Sequence, residues 1–370
     1  MSENSASAPT QKIENLPALT GVRALAAFWV VALHFTRFDD RFYNVGVVNE
    51  LVRAGGLGVT VFFVLSGFIM THVYRSRFRS NLSLLSWAEF LQNRLARLYP
   101  VHAVSALTML AFAMVGWRYG FVPRGASFSP LSMLANVTLT QVWFRGVGSM
   151  NGVSWSISAE WFAYVLFPIV YFLLWKSGHH WPWIVAVLSL VGCQFAHTHG
   201  ALMRISAEFP LGMAAYELQV RRRRAGFGKS AGYMVLLLYT IALYYISYSY
   251  YSVATSLASA LLFSVLVSPT DMFGKLLSTR LFVYLGEISY SIYMWHLVVW
   301  IFLRRGLGVV LHVQIVPRLW LIALGLLLTL AISSLSYRFI EEPGRAAIRK
   351  LRWVLPAPPP ERPRLQSAGN

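Results

Sequence analysis

A single cysteine, Cys193, stands in the 370 residues of this chain. One thiol excludes an intramolecular disulfide and any cysteine-based metal cluster, and its place in an apolar run reads as a small buried residue. Charge is scarce as well. Only 12% of residues are charged, against about 25% in a soluble globular domain. Acidic side chains number 14 against 32 Lys and Arg, for a net charge of +18. Such an excess can signal nucleic acid, but the cations sit in short segments between apolar runs, as membrane topology requires, so no nucleic-acid partner is expected. GxSxG, HExxH and a phosphate-binding glycine loop are all missing, which removes the common serine-hydrolase, zinc-protease and P-loop readings. No metal site is expected and no internal repeat is visible.

What is present is apolar length. The chain is 56% hydrophobic, with mean hydropathy +0.54. Runs long enough to cross a bilayer, about 17 to 25 residues each, fall near 17–36, 56–74, 98–117, 155–175, 181–198, 205–220, 231–248, 252–269, 283–303 and 317–337. Segment 131–143 is too short to span and reads as re-entrant or interfacial. The fold class is an all-α polytopic membrane protein of about ten transmembrane helices. With the N-terminus inside, most Lys and Arg fall in cytoplasmic loops, so both termini are expected in the cytoplasm. The organisation expected is a polar segment 1–15, a multi-spanning domain 16–345 and a basic, proline-rich, disordered tail 346–370. The first span reads as a retained helix rather than a cleaved signal, and no soluble domain is expected in the tail.

Arg23 and His34 lie eleven positions apart in the first span. At about 100° per residue they differ by roughly 20° around the helix and by roughly 16 Å along it. Ionisable groups in a spanning helix usually face a bundle interior and mark function; snorkelling to the nearer headgroups is the plainer reading. Arg23 falls toward the cytoplasmic end and His34, the natural proton acceptor or acyl carrier near neutral pH, toward the outer end. That suits a passage with an anionic donor at one mouth and an acceptor at the other.

Other polar groups recur in the same spans. Ser66 lies in GGLGVTVFFVLSGFIMTH, whose small residues permit close helix packing or leave room for a thin substrate. Arg94 and Arg97, placed at the cytoplasmic mouth of the third span, share a helix face and can clamp phosphate oxygens, or simply follow the positive-inside bias. Glu160 in WSISAEW either orients His34, as a carboxylate does in a triad, or caps its helix. Glu287, Tyr290, Tyr293 and His296 fall in one span, with Ser289, Tyr293 and His296 along one face, the pattern of a cavity wall. His296 reads either as a second acceptor-site group or as hydrogen-bonded helix glue. In SYRFIEEP, Glu341 is expected to pair with Arg338 or a cytoplasmic basic loop, and the proline to end the helix.

Six of these segments, in this order, resemble the acyltransferase-3 family of integral-membrane acyltransferases that decorate bacterial surface glycans. They are Arg23 with ten residues before His34, GVTVFFVLSGF at 58–68, RLARLYP at 94–100, WSISAE at 155–160, LGEISYSIYMWH at 285–296 and SYRFIEEP at 336–343. The resemblance implies a cytoplasmic acyl-CoA donor, most often acetyl-CoA, and an acceptor hydroxyl on an exported or polyprenyl-linked glycan. It places the enzyme in the bacterial cytoplasmic (inner) membrane, working with polysaccharide-assembly proteins. Arg23, Arg94 and Arg97 would hold the CoA phosphates, His34 would act as general base or carry the acyl group, and Glu160 would steer the imidazole. Some relatives carry a fused SGNH-type domain, which is not expected in this chain. The competing expectation is a transporter or flippase of a lipid-linked glycan; the lack of an inverted repeat argues against it.

Overall fold

A computed structural model describes residues 16–36, 46–80, 82–118, 126–196, 200–222, 248–266, 272–306 and 319–351. Every regular element among them is helical. In chain order these are α1 (Pro17–Thr36), α2 (Gly46–Arg53), α3 (Gly58–Ser80), α4 (Leu84–Arg118), α5 (Pro130–Val137), α6 (Trp155–Lys176) and α7 (Trp181–Ala196). They continue with α8 (Ala201–Arg222), α9 (Tyr248–Leu266), α10 (Met272–Leu277), α11 (Arg280–Glu287), α12 (Ser289–Ile301), α13 (Leu319–Ser336) and α14 (Glu342–Lys350).

Among the described residues, five stretches are long and apolar enough to cross a membrane: Pro17–Thr36, Asn49–Ser80, Leu84–Arg118, Trp155–Lys176 and Leu319–Lys350. Three of the other expected spans fall short of that measure, each for a physical reason. Helix α8 has the length, but Arg204, Glu208 and Glu217 are buried along it. The span expected at 283–303 is broken at Ile288, where Ser289 Oγ donates to the Gly286 carbonyl. Helix α7 runs for only 16 residues. The expected span at 231–248 lies outside the described residues but for its last position, as do segments 1–15 and 352–370.

Pairings at both ends of the helices give their directions. Thr60 meets Glu208 near the starts of α3 and α8, while Arg79, Tyr171 and Glu217 meet near the ends of α3, α6 and α8. These three helices are therefore parallel. His34 meets His296 and Phe35 stacks on Trp300, so α1 and α12 are parallel too. Tyr290 donates to the Leu98 carbonyl and Asn151 bridges Ser105 to Met294, which aligns α4 with them. Against this set α3 runs opposite, because Gly55 and Gly58 meet Trp29 and Ala26 in reverse order. Helix α13 is opposite as well, since Ser336 bonds Trp295 while Glu341, just beyond it, bonds Ser291.

Close approach is needed where α3 crosses α8. A Cβ on Gly67 would overlap the Phe209 carbonyl oxygen, and one on Gly212 that of Val64. The small residues of α3 thus let backbones touch, as in other membrane helix pairs. Helix α5 is a short element capped by Ser129, whose side chain accepts from the Ser132 amide. A buried polar network holds its loop: Asn136 donates to the Ser132 and Gly148 carbonyls, and His102 Nε2 lies 2.9 Å from the Asn136 carbonyl.

Candidate active site

A cavity of about 160 Å³ opens between α1, α3, α4, α6 and α12. Arg23, Arg94 and Arg97 line it, and among the described residues Glu160 is the only acidic side chain in its wall. The arginines of α4 lie three apart, hence on one face. Expected at the cytoplasmic mouth of the third span, both stand inside α4, which runs for 35 residues straight through Pro100. Arg94 donates from Nη2 to the Tyr74 hydroxyl (3.2 Å), and its buried Nε has no hydrogen-bond partner. Arg97 pairs through Nη1 with Glu341 Oε1 at 2.7 Å, leaving buried Nη2 without a partner. Among the described residues Arg23 makes no hydrogen bond or ion pair. Buried N–H groups are normally satisfied, so this cluster has spare capacity for an anion.

Glu341 is fully buried and holds more than Arg97. Its Oε1 also accepts from Arg345 (2.5 Å), and its Oε2 from the Ser291 hydroxyl (2.9 Å). Of the two partners expected for Glu341, Arg338 or a cytoplasmic basic segment, the structure gives the second in Arg97; Tyr337–Glu341 forms a π turn after α13, and Pro343 then opens α14 instead of ending the chain's helical course. Proline is tolerated in a first turn, where its missing N–H costs nothing. Helix α14 therefore extends past 345, the expected limit of the membrane domain, to Lys350.

Across the cavity, Glu160 Oε1 accepts from Ser66 Oγ (2.8 Å) and from the Tyr164 hydroxyl (2.5 Å). This corrects the expectation that Glu160 orients His34: its hydrogen bonds go to α3 and to its own helix. Tyr290 and Tyr293 line the cavity as expected. Ser156 and Tyr293 share a hydrogen bond of 2.8 Å, and Tyr293 also donates to the Val153 carbonyl (2.9 Å). Glu287 does not join them; it is exposed at the end of α11, beyond the break that separates it from α12.

Arg23 and His34 were expected along one wall. Arg23 lines the cavity, whereas neither His34 nor His296 does. The two histidines face each other instead, with ring centroids 5.0 Å apart and His296 Nε2 at 3.4 Å from His34 Nδ1. Tyr293 connects them to the cavity, its ring 5.8 Å from that of His296. Tyr164 and Ser156 were missed from sequence. Of these only Tyr164, four residues after Glu160 on the same face, carried a local signal.

The family model described as an acyltransferase domain matches residues 16–338. The chain belongs to the acyltransferase-3 family. Every cavity residue from Arg23 to Tyr293 falls within that match, and Glu341 lies just past it. YrhL of Bacillus subtilis (strain 168), provisionally named as a peptidoglycan O-acetyltransferase, is 25% identical over 91% of this chain and 56% of its own length. The O-acetyltransferase OatA of Staphylococcus aureus (strain NCTC 8325 / PS 47) is 24% identical over 89% of this chain and 57% of its own. The acyltransferase MdmB of Streptomyces mycarofaciens is 29% identical over 45% of this chain and 41% of its own. The chain thus spans little more than half the length of these relatives at most. No solved structure gives a significant match.

Proposed function

We propose that this acyltransferase-3 chain is a membrane O-acyltransferase. It moves an acyl group, acetyl in the first instance, from cytoplasmic acyl-CoA to a hydroxyl of a cell-surface or exported polysaccharide or its polyprenyl-linked precursor. The carrying observation is the cavity between the helices with its arginine cluster, which includes two guanidinium nitrogens without partners. Arg23, Arg94 and Arg97 hold phosphate oxygens of the donor, as the fork of guanidinium donors suits phosphate geometry. The thioester then extends toward Ser156 and Tyr293, one aromatic ring away from the histidine pair.

His34 takes the proton from the acceptor hydroxyl as general base. The hydroxyl oxygen attacks the thioester carbonyl, the C–S bond breaks, and the departing CoA thiolate receives the proton back from His34. The O-acetyltransferase names of YrhL and OatA support this reaction class, and the apolar helices support its seat in the bilayer. The inner membrane and polysaccharide-assembly proteins as partners follow from the same reading.

The purified protein in detergent, given acetyl-CoA and a lipid-linked glycan fraction, is expected to release CoA thiol and yield base-labile acetyl ester. His34→Ala is expected to lower that rate by at least about 100-fold. Activity within a few-fold of the unmodified protein removes His34 from the chemistry. A flippase gives no thiol in detergent, where there are no compartments to move substrate between.

A further inference from the structure

His296 is fully buried on α12, and its role is decided by where the protons of two imidazoles must sit. His34 Nδ1 lies 2.9 Å from the Val30 carbonyl oxygen, and His296 Nδ1 lies 3.3 Å from that of Ile292. Each carbonyl belongs to the preceding turn of the same helix, and a carbonyl oxygen can only accept. Both rings therefore carry hydrogen on Nδ1, which leaves the lone pair of each on Nε2. The nitrogen of His296 that faces His34 is this Nε2, at 3.4 Å from the His34 Nδ1–H. The Nδ1–H of His34 is thus shared between the Val30 carbonyl and His296.

We infer that His296 is a positioning residue for the general base, occupying as a neutral imidazole the place that a carboxylate holds in a serine-protease triad. The inference rests on the proposed role of His34. It assigns the orienting partner to α12, since Glu160 bonds to Ser66 and Tyr164 instead. The arrangement does two things. It fixes the His34 tautomer whose Nε2 is the basic nitrogen, the same work that the buried aspartate does for its histidine. When His34 Nε2 gains the acceptor proton, the ring becomes an imidazolium, and its Nδ1–H bond to His296 becomes charge-assisted and stronger. His296 itself gains and loses no proton. Phe35, stacked on Trp300 at 4.4 Å and 6.5 Å from His296, packs beside the pair, with Tyr293 at 5.8 Å. With hydrogen on Nδ1 and a lone pair on Nε2, His296 orients as a neutral group.

The test uses membranes of the native host that lack the chromosomal copy and carry the full chain or a variant. Radiolabelled acetyl-CoA is the donor and the host's own glycan the acceptor. His296→Leu removes the acceptor atom; His296→Gln keeps an acceptor oxygen near the position of Nε2. The maximal rate of His296→Leu is expected to fall about 100-fold with the acetyl-CoA KM within about threefold of normal, and His296→Gln to recover at least about tenfold of that loss. A His296→Leu rate within threefold of normal, or a glutamine variant no faster than leucine at equal protein, overturns the inference. His34→Ala separates the two ideas. If it stays active, the general base is wrong and the inference falls with it; if it is inactive while His296→Leu is normal, only the inference falls. Should the leucine variant be lost from the membrane, nitrogen NMR of the intact protein with isotope-labelled histidine decides: Nδ1–H on both rings sustains the inference, and Nε2–H on His296 overturns it.

Discussion

Arg97 reaches the cavity already held from behind, with Nη1 on Glu341 and Nη2 unpartnered. The carboxylate in turn is shared with Arg345 and Ser291, so three donors converge on one buried group. Truncating Glu341 to alanine would leave two guanidinium groups without their counter-charge. A loss of about 3–5 kcal/mol is expected, the usual cost of breaking a buried pair from one side, measured by thermal unfolding in detergent. Arg97→Lys tests a finer point. A lysine ammonium is a point charge without a bidentate fork, and it cannot serve Glu341 and a phosphate together. The acetyl-CoA KM is expected to rise by about tenfold or more while kcat changes far less, the signature of lost ground-state binding. A kcat loss with unchanged KM would place Arg97 with the reacting atoms instead.

At the scale of the element, the parallel pair α3 and α8 depends on two glycines meeting the opposite backbone. Gly67→Ala puts a methyl against the Phe209 carbonyl, which is main chain and cannot swing aside. Overpacking of this kind costs about 1–3 kcal/mol. The same helix carries Ser66 into the cavity, so both sequence readings of its small residues hold, packing at Gly67 and room at Ser66. Activity is expected to fall in Gly67→Ala as the melting temperature falls, because parting the helices displaces Ser66 from Glu160. An alanine variant as stable as the original would mean that α3 and α8 are not pressed together here. Helix α4 teaches a related lesson. Hydropathy alone started it near residue 98, since its first turns are mixed in polarity, yet backbone hydrogen bonding carries it continuously from Leu84 to Arg118. Loop and helix differ little in composition there, so the start of the helix was not legible from hydropathy.

Across the whole molecule, α1, α4 and α12 run one way and α3, α6, α8 and α13 the other. Ser80 at the end of α3 and Phe144 before α6 are both exposed, and a single helix crossing separates them. Cys193 is buried, which makes Cys193→Ser a quiet background for labelling. In it, Ser80→Cys is expected to react with a membrane-impermeant thiol reagent only from the cytoplasm, and Phe144→Cys only from outside. Labelling of both from one side would break the assigned topology. The arginine cluster lies nearer the ends that share a side with Ser80, the histidine pair nearer the opposite ends. That ordering is what a donor and an acceptor arriving from opposite faces require.

Periodicity and hydropathy were enough to find the apolar helices, the shared face of Arg94 and Arg97, and the family pattern that runs from Arg23 to Glu341. Those features are local: a helix repeats about every 3.6 residues, so spacing tells which side chains share a face. Spacing does not tell which helix lies opposite. The contact of His34 with His296 joins residues 262 positions apart, that of Arg97 with Glu341 joins residues 244 apart, and that of Ser66 with Glu160 joins residues 94 apart. Each was misassigned or left open from the chain alone, because a buried polar group takes the partner that packing brings within about 3 Å rather than the one nearest in sequence.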